Sequence, residues 1–86
     1  MAKAKFDVKL TPAAQRDLKR IDKQRLGQIR DTLDGLEQDA RPYQSESLGS
    51  DLFRVRTGDY RIVYWIDFKA SQVHVTKIRD RKDVYK

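Results

Sequence analysis

Arg54, Arg56 and Arg61 lie within eight residues of one another, inside the stretch FRVRTGDYRIVYWI that runs from Phe53 to Ile66. Guanidinium groups stay protonated at any relevant pH and present paired N–H donors that match two oxygens of a phosphate. Three of them at this spacing, on one strand face, are suited to a phosphate site. They are unsuited to removing a proton. Arginines on an exposed strand face also serve solubility and edge protection, and that plainer use is the competing account. The rest of the chain narrows the chemistry. It has no cysteine, so disulfides and cysteine-ligated metals are excluded. His74 is the single histidine, and no His/Asp/Glu cluster has metal-ligand spacing, so no metal or other cofactor is expected. No glycine-rich loop of the phosphate-binding type occurs.

The hairpin that carries these arginines has a register legible in its residues. Gly58-Asp59 as a two-residue loop suits a type II′ turn, which favours glycine first. Thr57 then faces Tyr60 and Arg56 faces Arg61. Alternation puts Phe53, Val55, Thr57, Tyr60, Ile62, Tyr64 and Ile66 on one face, and Arg54, Arg56, Arg61, Val63 and Trp65 on the other. A three-residue loop would pair Val55 with Arg61 and set a charge among core residues. Arg56 opposite Arg61 is a like-charge pair, which destabilises a sheet, so a densely negative ligand explains the arrangement better than stability does. In the last strand, Val73 and Val75 belong to the core, and strict alternation would send Lys77 and Arg79 with them. That strand must bend, bulge or end before Arg79 if Arg79 is to join the basic face. Lys77 and Arg81 are further basic candidates for contact with a nucleic acid. Trp65 shares the basic face, where it can stack on a base or pack beneath the C-terminal tail.

The elements around the hairpin follow from periodicity. Phe6, Val8 and Leu10 alternate with polar residues as a half-buried strand. Thr11 suits an N-cap and Pro12 the first helical position, and Ala14, Leu18 and Ile21 share one face of the helix that follows. Asp22 caps a second helix striped by Leu26, Ile29, Leu33 and Leu36. Gly27 and Gly35 each weaken that helix by roughly 1 kcal/mol relative to Ala, so packing must hold it. ARPYQSESLGS reads as a polar connection. Strands over 52–57, 60–67 and 73–78 complete a β-α-α-β-β-β order. The expectation is a single α+β domain over residues 1–86, with an αα-hairpin on one face of an antiparallel sheet.

Charge adds direction. The net charge is +6, and residues 54–86 hold nine Lys/Arg against four Asp/Glu, whereas residues 1–53 hold ten against nine. The excess sits in the C-terminal third, as expected of a domain that meets nucleic acid. The N-terminus lacks the apolar core of a signal peptide, and the longest apolar run, Ile62 to Ile66, is too short to span a bilayer. A soluble, cytoplasmic protein with no membrane partner is expected.

SLGSDLFRVRTGDYRIVYWID followed by IRDRKDVY resembles the RelE branch of the RelE/ParE toxin superfamily. Leu48-Gly49, the R-x-R strand, the Gly-Asp-Tyr-Arg turn and the late Arg-Asp-Arg…Val-Tyr element carry the likeness. The resemblance implies a RelE-like microbial RNase fold and the toxin half of a type II toxin–antitoxin pair. Such toxins enter the ribosomal A site and cut mRNA without a metal, the RNA 2′-hydroxyl attacking the adjacent phosphate. A cognate antitoxin wraps and blocks the toxin, and the pair commonly binds its own operator DNA. The family's catalytic positions fall on Arg54, Arg56, Arg61, Arg79 and Tyr85. The best-studied branch of the family favours lysine at the first two, and arginine there can clamp phosphate but makes a poor base. Proton removal would then fall to Tyr85, whose reference pKa of about 10 would have to drop beside the arginines; otherwise positioning of the RNA carries the reaction. Two alternatives stand beside this reading: a ParE-like inhibitor that binds DNA gyrase, and an inactive relative that binds only antitoxin or RNA.

Overall fold

The computed structural model describes residues 5–80. The chain runs β1 (Asp7–Leu10), α1 (Pro12–Lys19), α2 (Lys23–Gln38), β2 (Ser45–Gly49), β3 (Leu52–Thr57), β4 (Tyr60–Asp67) and β5 (Gln72–Asp80). Both helices start where their caps predict. The Thr11 hydroxyl accepts from the Ala14 amide at 3.2 Å, with Pro12 opening the helix, and the Asp22 carboxylate accepts from Gln24 at 3.2 Å. Each cap satisfies an amide that the first helical turn leaves without a backbone partner.

The strands form one five-stranded sheet in the order β1-β5-β4-β3-β2. Two features differ from the sequence reading. First, Ser45–Gly49 is a strand, where a polar connection was expected. It is an edge strand with a mostly exposed polar face, so it lacks the apolar alternation by which strands are recognised. Backbone pairing to β3 defines it, closed by a tight turn at Ser50 and Asp51 with φ of 47° and 64°. Second, the sheet is mixed. β2 through β5 pair antiparallel, but β1 lies parallel to β5, Val8 opposite Val73 and Leu10 opposite Val75.

The helices cover one face. α1 ends at Lys19, so Ile21 reaches the core from the turn after it rather than from the helix face expected; with Ala14 of α1 and Ile29, Leu33 and Leu36 of α2 it packs with Phe53, Val55, Ile62, Tyr64, Ile66, Val73, Val75 and Ile78. Burying these side chains contributes about 25 cal/mol per Å² of apolar surface removed from water. That burial offsets the cost of Gly27 and Gly35, and α2 runs unbroken through both. Tyr64 reaches through the core to donate to the Ala40 carbonyl at 2.8 Å. Among the described residues, no helix is long and apolar enough to cross a membrane.

Candidate nucleic-acid interface

The opposite face of the sheet carries the arginines. Thr57 pairs with Tyr60 and Arg56 with Arg61, so the hairpin has the two-residue loop that its apolar pattern selects. Gly58 takes φ +60°, as the first position of a type II′ turn requires. An added Cβ there would come within 2.8 Å of Gln28 Oε1. The Thr57 hydroxyl donates to the Gln28 carbonyl at 3.4 Å, so α2 supports the turn from beneath.

Whether Arg79 joins that face is decided by a bulge. Val63 pairs with Lys77, but Tyr64 pairs with Val75, which leaves Thr76 as the extra residue. Its hydroxyl donates to the Val63 carbonyl at 3.2 Å where the ladder is interrupted. The insertion shifts alternation by one residue. Ile78 thereby turns into the core opposite Ile62, and Arg79 lies opposite Arg61.

A row of three arginines, Arg56, Arg61 and Arg79, therefore crosses β3, β4 and β5 at one register level. The next level holds Arg54, Val63 and Lys77. Neighbouring strands lie about 4.8 Å apart and successive same-face residues about 6.8 Å apart, so the backbone positions of these basic residues form a compact grid. Adjacent guanidinium groups repel, and two carboxylates flank the grid. Glu46 on β2 is ion-paired with Arg54 and lies opposite it in the ladder. Asp17 on α1 binds Arg79 Nη1 at 3.3 Å. Arg56 is exposed and has no ion pair among the described residues.

Trp65 occupies the far end of the same face, opposite Leu52 and His74. Its ring stacks on the His74 imidazole with centroids 4.2 Å apart and planes 10° apart, and 38% of the residue remains exposed. A base could stack only on the surface that His74 leaves uncovered. Arg81 and Tyr85, and with them the C-terminal tail expected over Trp65, lie outside the described residues. Among the described residues, no group of three or more His, Asp or Glu side chains could hold a metal.

One residue of this region was not singled out by the sequence reading. Asp17 is buried, at 7% exposure, three residues after buried Ala14 on α1 and four before buried Ile21 in the turn that follows. A carboxylate three residues after one core position and four before another is a signal that spacing alone provides.

This architecture recurs in known proteins. The archaeal RelE–RelB complex from Pyrococcus horikoshii OT3 contains a chain that superposes with a TM-score of 0.82 at 26% identity, covering 90% of this chain and 96% of that one. The toxin–antitoxin complex RelBE2 from Mycobacterium tuberculosis gives a TM-score of 0.78 at 24% identity, covering 88% and 98%. The isolated E. coli RelE toxin gives 0.78 at 18% identity, covering 93% and 90%. Comparison with curated proteins gives no match. A family model described as the ParE toxin of the type II toxin–antitoxin system, parDE, matches residues 8–85. The chain belongs to this toxin family, within the RelE/ParE superfamily.

Proposed function

We propose that this toxin is a ribosome-dependent endoribonuclease that cuts mRNA in the A site and so halts translation in the cytoplasm. The observation that carries the reading is the row Arg56-Arg61-Arg79, set at one register level beside Arg54 and Lys77 on the sheet face opposite the described helices. A like-charge row across three strands costs stability, and a polyanionic backbone laid over it offsets that cost.

The chemistry needs no metal. The 2′-oxygen of one nucleotide attacks the adjacent phosphorus, and the bond to the 5′-oxygen of the next nucleotide breaks. The products are a 2′,3′-cyclic phosphate and a 5′-hydroxyl end. The phosphoryl oxygens gain negative charge in the transition state, where fixed guanidinium groups act most strongly. Arg54, Arg56 and Arg61 are assigned to that role, and Arg79 to charge developing on the leaving 5′-oxygen. Arginine does not accept the 2′-hydroxyl proton, which is assigned to Tyr85 acting as its phenolate, and the leaving 5′-oxygen takes its proton from water. Lys77, Arg81 and Trp65 are assigned to holding the RNA. The ribosome supplies substrate orientation, worth several orders of magnitude when the attacking oxygen is held in line. A cognate antitoxin blocks the toxin, as the RelB-bound structures suggest, and the pair binds its own operator DNA.

A second reading rests on one observation: the matching family is described by ParE and parDE. On that reading the chain binds DNA gyrase and stops supercoiling. Expression without antitoxin separates the two. Translation arrest with mRNA cut within codons supports the nuclease, and intact mRNA with lost plasmid supercoiling supports gyrase. A folded chain that does neither is an inactive relative.

A further inference from the structure

Asp17 is placed where a carboxylate is costly unless its charge is used. Its side chain is 7% exposed, on α1 three residues after buried Ala14. Burying an ionised carboxylate is unfavourable without paired, hydrogen-bonded partners. Asp17 has two. β1 ends at Leu10, opposite Val75, so among the described residues the outer edge of β5 has no strand neighbour beyond that point. There the Ile78 amide donates to Asp17 Oδ2 at 3.0 Å. The other oxygen, Oδ1, accepts from Arg79 Nη1 at 3.3 Å.

The amide alone does not require a charge, since a neutral amide or hydroxyl oxygen would also accept it. The partner that matches a carboxylate is the guanidinium. The pair is asymmetric: the Arg79 side chain is 42% exposed, whereas its anchor is buried. Nη1 is the guanidinium nitrogen that Asp17 engages, and the partial exposure of the Arg79 side chain leaves part of the group open to solvent. A cleft of about 150 Å³, lined also by Arg20, Tyr60 and Asp80, opens beside it. Arg61, opposite Arg79 in the ladder, repels it. Asp17 holds Arg79 from the α1 side and limits how far it can swing.

We propose that Asp17 is a positioning residue for Arg79. One carboxylate ties the guanidinium to the open edge of β5 and fixes where that charge meets the RNA backbone. The role rests on the nuclease reading above.

Asp17→Asn tests it, because the side chain keeps its shape and an oxygen for the Ile78 amide but loses its charge. Single-turnover cleavage of ribosome-bound mRNA should fall about tenfold or more, as misplacement of a charge near the reacting atoms predicts. Ribosome affinity should hold or rise, because the variant is one unit more positive. In an Arg79→Ala background the same change should add less than about twofold. Wild-type cleavage by Asp17→Asn overturns the proposal, and so does an equal loss in both backgrounds, which marks a merely structural carboxylate. Should Asp17→Asn fail to fold, arginine side-chain NMR of the wild-type chain decides: Arg79 should rotate more slowly about its guanidinium than exposed Arg56, and equal rotation overturns the assignment. A wild-type toxin that leaves ribosome-bound mRNA intact overturns the nuclease reading and this role together. An active wild type with an insensitive Asp17→Asn overturns this role alone.

Discussion

Arg56 shows how function and stability diverge at single positions. It is exposed, lies opposite Arg61 and has no ion pair among the described residues. Arg56→Ala should therefore leave the melting temperature unchanged or slightly higher, with a gain of up to ~0.5 kcal/mol from relieved repulsion, while toxicity in a growth assay falls. Tyr64 is the converse, a side chain that serves the fold. Burial pushes its phenol above the ordinary value of 10.0, a hydrogen bond with Ser45 opposes the shift, and the Asp39 charge adds to it. The folded state thus holds this proton more tightly than the unfolded chain. Its contribution is complete below pH 10 and is lost as pH rises past the unfolded value. Tyr64→Phe should flatten that alkaline decline in urea titrations and cost about 1 kcal/mol near neutrality, through the lost bond to the Ala40 carbonyl. The placement of Arg54, Arg56 and Arg61 was legible because apolar neighbours at alternate positions leave them one face. Asp17 was less legible, because its partners, Ile78 and Arg79, are 61 and 62 residues away in sequence.

Among the elements, the two glycines of α2 and the glycine of the hairpin turn call for opposite treatment. A Cβ added at Gly27 or Gly35 meets nothing within 4 Å. Ala at either position should stabilise the protein by about 0.5–1 kcal/mol, measured by chemical denaturation. Gly58→Ala should destabilise by about 1–2 kcal/mol, because a positive φ strains any L side chain and because Gln28 must move aside. The turn was readable since Gly58-Asp59 sits between two apolar runs that can pair in only one register. The bulge was readable only as a need: some irregularity had to precede Arg79, and nothing in the residues named Thr76. β2 was not readable, because Ser45–Gly49 has no apolar side to bury and is held by backbone pairing to a strand already placed. The parallel course of β1 beside β5 likewise depends on where the chain returns, and no local pattern encodes that.

At the scale of the whole molecule, the helices cover one side of the sheet, and among the described residues the other side carries the charge. The excess of positive charge in residues 54–86 lies in the strands that form this side and in the tail beyond them. Binding of an inactive Arg61→Ala toxin to single-stranded RNA should weaken steeply with salt. Each phosphate contact contributes about −0.7 to the slope of log K against log salt, and the remaining cations of the grid predict a slope near −3. A slope near zero would remove the grid from RNA binding. The most direct test of the central claim is mapping of mRNA ends on purified ribosomes, with the wild-type toxin and with Arg61→Ala. The account predicts cuts within the A-site codon that leave a 2′,3′-cyclic phosphate, and loss of those cuts in a variant that remains folded. Intact mRNA with the wild type, or wild-type cutting by Arg61→Ala, would contradict it.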